Sequence, residues 1–221
     1  MMVSSDIVGI LFVYGYVGFL IFLTEKILAR YPSVSRKILH IMVGNIVFIL
    51  PIFQTREAMV FGAAAPFIVL TFLISPRSPI KSKSLVSKAG HGLGLVYYAI
   101  SWTVLAYLFF EHLWVVGVGI LAMSYGDGFA SIFGVRFGRH AFQILRDKKS
   151  LEGSLAMFSV TLPMLLVNAV FYSLPITLRL ATVLVLICFV ATVIEMITPR
   201  GLDNLTVPLI AAALCWYLVV I

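Results

Sequence analysis

A chain of 221 residues that is 62% hydrophobic and only 11% charged carries more apolar surface than a soluble domain of that length can hide, and a bilayer removes the problem. Its net charge of +7 fits basic loops held against anionic lipid. It does not argue for nucleic acid, because no soluble basic domain is present to bind it. Cys188 and Cys215 both fall in apolar runs, which points to neither a disulfide nor a zinc site.

Apolar runs of roughly spanning length, about 17–25 residues, fall near 6–24, 37–53, 57–75, 91–110, 113–135, 154–173, 178–197 and 204–221. They predict an all-α, polytopic transmembrane bundle, one integral membrane domain over residues 1–221, with eight spans. The second and last runs are short, which leaves seven open. Ahead of the first run Asp6 is the only charge, so there is no basic leader, and no small-residue cleavage site follows. That run reads as a retained helix. No internal repeat, low-complexity tract or domain linker interrupts the pattern.

The basic residues alternate between loops. Lys26, Arg30, Arg36 and Lys37 occupy the first loop. Arg77, Lys81, Lys83 and Lys88 occupy the third, Arg136, Arg139, Arg146, Lys148 and Lys149 the fifth, and Arg200 the seventh. Only Arg56 and Arg179 fall in even-numbered loops. By the positive-inside rule the odd loops are cytoplasmic and both termini lie outside.

An ionised side chain inside a helix costs roughly 2.5–3.5 kcal/mol on insertion scales, so an acid at membrane depth needs a partner or a task. Asp127, in Ser124-Tyr125-Gly126-Asp127-Gly128-Phe129-Ala130-Ser131, is the clearest case. Close helix packing accounts for Gly126, Ala130, Gly134 and Gly138, which recur every four residues. It does not account for the aspartate, which reads as a metal ligand. Asp147-Lys148-Lys149-Ser150-Leu151-Glu152-Gly153-Ser154 then opens the sixth span. Its lysines suit phosphate, Ser150 or Ser154 can cap the following helix, and Glu152 can reach a divalent cation. A plain basic loop with an N-cap is the simpler alternative for that segment.

Two further clusters lie at the same depth. Arg36 and His40 are i, i+4 neighbours entering the second span, with Lys37 beside them. A juxtamembrane Arg-Lys pair is commonly a topology anchor, but a histidine within the apolar run is harder to dismiss; His91, His112 and His140 sit near span ends. Glu195 precedes a break at Pro199 and Gly201, after which Asp203 or Asn204 can cap the last helix.

Together Arg36-Lys37-x-x-His40, Gly126-Asp127-Gly128-Phe129-Ala130, Gly134-x-x-x-Gly138, Lys149-Ser150-Leu151-Glu152-Gly153-Ser154, Glu195 and Asp203-Asn204-Leu205-Thr206-Val207-Pro208 resemble the CTP-dependent lipid-alcohol kinases, a family that includes dolichol kinase, phytol kinase and the CTP-dependent diacylglycerol kinase. The resemblance spans about residues 36 to 208. Part of the pattern also looks like phosphatidate cytidylyltransferase, but that enzyme's C-terminal hallmark is missing, and Asp203-Asn204-Leu205 stands there instead. No Walker-type phosphate loop occurs.

The resemblance implies transfer of the CTP γ-phosphoryl group to the hydroxyl of a lipid alcohol, with Mg²⁺ as cofactor. The acceptor would be a polyprenol, a phytol-like isoprenoid alcohol or diacylglycerol, reached from the cytoplasmic side of a cell or endoplasmic-reticulum-type membrane. On that reading Asp127, Glu152 and Glu195 hold the metal. Arg36, Lys37, Arg139, Lys148, Lys149, Ser150 and Asn204 bind the nucleotide, and Asp203 or His40 handles the alcohol proton, with Asp127 also in the catalytic set. The rival readings are a cytidylyltransferase making a CDP-lipid, and a transporter, whose sites more often sit at the midplane of repeated halves.

Overall fold

The structure, a computed structural model, describes residues 3–79, 93–144, 147–199 and 201–221, without the side chains of residues 32 and 33. Lys81, Lys83, Lys88, His91, Arg146 and Arg200 lie outside the described residues.

Helices form in all eight apolar runs: α1 (Ser4–Phe22), α2 (Pro32–Val43), α3 (Pro66–Leu73), α4 (Gly94–Leu108), α5 (Leu113–Leu121), α6 (Gly128–Phe137), α7 (Leu151–Phe171), α8 (Leu178–Ile197) and α9 (Asp203–Cys215), with α5 and α6 sharing one run. Wide π-helical turns extend several of them, at Leu23–Ile27, Ala58–Ala64, Ala122–Asp127 and Trp216–Val220. Among the described residues, six runs are long and apolar enough to cross a membrane: Ser4–Ile27, Val34–Ile52, Phe110–Phe137, Leu151–Phe171, Leu178–Ile197 and Asp203–Val220. The other two, Ala58–Leu73 and Gly94–Leu108, are shorter apolar helices among the described residues. The protein is a polytopic helical membrane bundle.

Among the described residues, one element departs from the helical pattern. β1 (Ala141–Ile144) and β2 (Asp147–Ser150) pair as an antiparallel hairpin, with Phe142 opposite Lys149 and Ala141 opposite Ser150. It fills what the sequence presents only as a polar loop. The pairing satisfies backbone groups between two helices, and strand alternation sends Lys148 and Lys149 to opposite faces.

The chain packs as two compact units, residues 1–113 and 114–221. In the first, Asp6 is fully buried. Its carboxylate accepts hydrogen bonds from the backbone N–H groups of Val3, Gln54 and Thr55 and from the Thr55 hydroxyl, at 2.8–3.1 Å. The start of α1 is thereby tied to the turn after α2. Arg56 lies over the Tyr107 and Phe110 rings and 3.7 Å from Glu111, so the second and fourth loops share an end with the start of α1. Pro66 has no N–H to give the Gly62 carbonyl one turn back. The Tyr14 hydroxyl donates to that carbonyl at 3.2 Å, replacing the missing bond on the exposed face of the helices.

In the second unit, α6 and α7 approach through glycine. A Cβ on Gly153 would stand 2.8 Å from the Ala130 carbonyl oxygen and 3.4 Å from Gly134 Cα, so the small-residue stripe is a packing seam. Ser150 caps α7, its hydroxyl accepting from Gly153 N–H at 3.1 Å. Neither Asp203 nor Asn204 caps α9. Leu202 occupies the cap position without a side-chain bond, and Asp203 is the first helical residue.

Two stability outcomes follow. Asp6→Ala removes the acceptor for four donors, so its melting temperature in detergent should fall further than that of Thr55→Ala, as followed by intrinsic fluorescence. Gly153→Ala drives a methyl into the Ala130 carbonyl and should destabilise by about 1–3 kcal/mol. Gly134→Ala, whose Cβ would meet only Ser150 Oγ at 3.1 Å and Gly153 Cα at 3.8 Å, should cost less in the same assay.

Candidate active site

Four segments of the second unit bring charge to one place. Asp127 ends the π-helical turn Ala122–Asp127. Such a turn holds one residue more than an α-turn and commonly marks a functional position. Here it packs against α7 and α9. Glu195 lies in the last turn of α8, and Asp203 opens α9. Between them Gly201 takes φ 76°, a left-handed conformation that glycine adopts without a Cβ penalty, so the chain reverses tightly enough to return Asp203 to Glu195. Carboxylate oxygens of Asp127, Glu195 and Asp203 all lie within 4.8 Å of one another.

Lys149 enters this cluster from β2. Its ammonium sits 2.7 Å from Glu195 Oε1 and 3.8 Å from Asp203 Oδ2, with the Lys149 and Glu195 side chains only 10% and 8% exposed. It also donates to the Glu195 backbone carbonyl, where a cation complements the C-terminal end of the α8 dipole. Asp203 Oδ1 accepts from the Asn204 N–H at 2.9 Å, leaving Oδ2 on the lysine side. The all-oxygen donor set fits a hard divalent cation such as Mg²⁺.

The chain is 34% identical to the phytol kinase of Synechocystis over 209 residues, 91% of this chain and 87% of that protein. The chain belongs to the phytol kinase family. A probable chloroplastic phytol kinase of Triticum aestivum is 34% identical, with 85% of this chain and 67% of the relative covered. Phytol kinase 1, chloroplastic, of Arabidopsis thaliana is 33% identical, covering 84% and 66%. No family model matches the chain. No solved structure matches it. As a member of this family the chain is an enzyme, a kinase acting on an alcohol acceptor.

Against the sequence expectation for such a kinase, the structure gathers Asp127, Glu195, Asp203 and Lys149, and Asn204 follows Asp203 on α9. Lys149, expected on the nucleotide, is committed to the acids, and Asp203, expected to act on the alcohol proton, stands among the metal-competent oxygens. Glu152 is engaged elsewhere: its carboxylate meets His140 Nδ1 at 2.7 Å and accepts from the His140 backbone N–H at 3.2 Å. This pair closes the base of the hairpin. Arg139 and Lys148 are exposed, and Ser150 is buried in its capping role. Arg36, Lys37 and His40 belong to the first unit, where His40 is buried and packs edge-on to Tyr98 with ring centroids 5.1 Å apart. The link from Lys149 to the acids escapes sequence reasoning because it spans 46 residues. Strand alternation beside an exposed Lys148 is the only local sign of it.

Titrating the purified protein with Mn²⁺ as a paramagnetic stand-in should show a site that Asp127→Asn or Asp203→Asn weakens about tenfold or more. Glu152→Gln should leave that affinity near wild type. Lys149→Ala removes the ammonium partner of buried Glu195, a loss of about 3–5 kcal/mol of stability, and Lys149→Arg should recover part of it.

Proposed function

We propose that the chain transfers the γ-phosphoryl group of CTP to the hydroxyl of a phytol-like isoprenoid alcohol in the membrane. The observation that carries this reading is the convergence of Asp127, Glu195 and Asp203 with Lys149 in a membrane-embedded unit. Phosphoryl transfer asks for positioning and charge neutralisation more than covalent help, and such a cluster supplies both. The acceptor is taken from the relatives named phytol kinase. CTP is taken from the motifs shared with the lipid-alcohol kinases.

On this proposal Asp127, Glu195 and Asp203 hold Mg²⁺, which would neutralise the phosphate oxygens when bound. Lys149 fixes the acids in place and limits their mutual repulsion. Arg139 and Lys148, exposed beside the cluster in sequence, bind the phosphates as they arrive. The alcohol oxygen forms the new bond to the γ-phosphorus while the bond to the CDP oxygen breaks. CDP leaves, and the hydroxyl proton passes to a carboxylate oxygen, for which Asp203 is the candidate. The site faces the cytoplasm if the basic loops do.

Purified protein supplied with phytol and CTP labelled at either phosphate tests this. Label at the γ-position should reach the lipid and label at the α-position should not; α-label in lipid with release of pyrophosphate means cytidylyl transfer instead. ATP, GTP and UTP in parallel reactions establish the donor. Asp127→Asn should lower kcat by about 10²–10³-fold, as loss of a transition-state contact does, while the protein stays folded.

A further inference from the structure

Glu152 is an acid that the sequence marks for a metal, and the structure leaves it outside the cluster of Asp127, Glu195 and Asp203. It is spent on His140 instead. The ring Nδ1 of His140 lies 2.7 Å from Glu152 Oε1, and the His140 N–H donates to both carboxylate oxygens at 3.2 and 3.3 Å. The His140 carbonyl accepts from the Leu151 N–H at 3.1 Å. Three groups of one residue are thus fastened to the start of α7. An acid in the first turn of a helix complements its dipole without any partner. That accounts for an acid at this position, but not for its reach across to His140.

The foot of the hairpin is braced beside this pair. A Cβ on Gly138 would stand 2.9 Å from Ser150 Oγ and 3.0 Å from Ser150 Cβ, and the Gly138 N–H donates to the Gly134 carbonyl at 3.1 Å. The end of α6 and the start of α7 therefore meet where β1 begins and β2 ends.

Such bracing matters because the hairpin is small. Its strands have four residues each, and an isolated two-stranded hairpin is marginal at best in water. Its register sets Phe142 opposite Lys149 and Gln143 opposite Lys148. Exposure alternates along β2, with Lys148 outside and the Lys149 side chain against Glu195 and Asp203. A slip of one residue turns every strand side chain to the opposite face. Lys149 would then leave the acids.

We propose that Glu152 is a positioning residue: by gripping His140 at the foot of the hairpin, it keeps β1 and β2 in the register that holds Lys149 on Glu195 and Asp203. Its part in the reaction is indirect and rests on the kinase reading, in which Lys149 fixes the acids in place.

Amine acetylation followed by site-resolved mass spectrometry reads the position of Lys149 without reference to activity. In the wild-type protein Lys148 should react and Lys149 should stay protected. Glu152→Ala should speed acetylation of Lys149 about tenfold and leave Lys148 unchanged. Glu152→Gln keeps an acceptor for the His140 N–H and should expose Lys149 less. His140→Ala, at a side chain 74% exposed, removes only the ring contact. It should give a smaller rise by itself and none in the Glu152→Ala background, because the two residues act through one contact. With phytol and CTP, kcat should fall in the same order, about tenfold for Glu152→Ala, while KM for CTP stays near wild type. Lys149 that stays protected in Glu152→Ala, or that already reacts in the wild type, overturns the proposal. So do additive losses from Glu152→Ala and His140→Ala, or a rise in KM for CTP with Lys149 still protected, which marks direct contact with the nucleotide. If Glu152→Ala does not fold, Glu152→Gln and His140→Ala decide: protection of Lys149 in both overturns the proposal. A wild-type protein that protects Lys149 yet phosphorylates no alcohol would defeat the kinase reading and leave the hold of Glu152 on the hairpin standing.

Discussion

The ion pair between Lys149 and Glu195 is the interaction on which the second unit turns. A buried carboxylate in a membrane-embedded helix is tolerated only if its charge is answered locally, and the answer comes from a hairpin between helices, not from a neighbouring helix face. That choice ties the end of α8, the start of α9 and β2 into one assembly. Asp203 shares the lysine at 3.8 Å, and Asp127 joins through the wide turn that packs against α7 and α9. The same pairing that makes Glu195 tolerable holds it where carboxylate oxygens of Asp127, Glu195 and Asp203 converge, a donor set that a divalent metal would take.

Asp6 shows the other way to bury an acid. Its carboxylate is fully buried yet faces no cation across the bonds that hold it; backbone N–H groups of Val3, Gln54 and Thr55 supply the positive ends of their dipoles. Saturating an acid with fixed donors produces a clamp. Clustering acids around a buried ammonium produces a site. The two buried environments separate architecture from chemistry within one chain.

Irregular helices are a recurring device here. Pro66 costs α3 a backbone bond, which Tyr14 restores from α1, and the π-helical turn beside it lines an apolar pocket of the first unit. Another such turn delivers Asp127, and a left-handed Gly201 folds α9 back onto α8. In each case a departure from regular α-geometry stands next to the residues with chemical or binding potential. The regular stretches, such as the α6–α7 seam at Gly134 and Gly153, supply packing.

Hydropathy and charge by themselves determined a great deal: the helical membrane class, eight apolar runs, the alternation of basic loops, and the family motifs that include Asp127, Glu195 and Asp203. These are properties of local composition, and the free energy of placing apolar or charged groups in a bilayer acts residue by residue. The packing role of the glycine stripe and the Ser150 cap were legible for the same reason, since both are read within a few turns of one helix. Tertiary structure alone decided that Lys149 answers the acids while Lys148 stays outside, that Glu152 belongs to His140, and that Asp203 starts its helix without capping it. It alone formed the apolar pocket lined by four helices of the first unit. Those outcomes depend on contacts between residues tens of positions apart, and on hairpin register and helix rotation, which no single segment encodes.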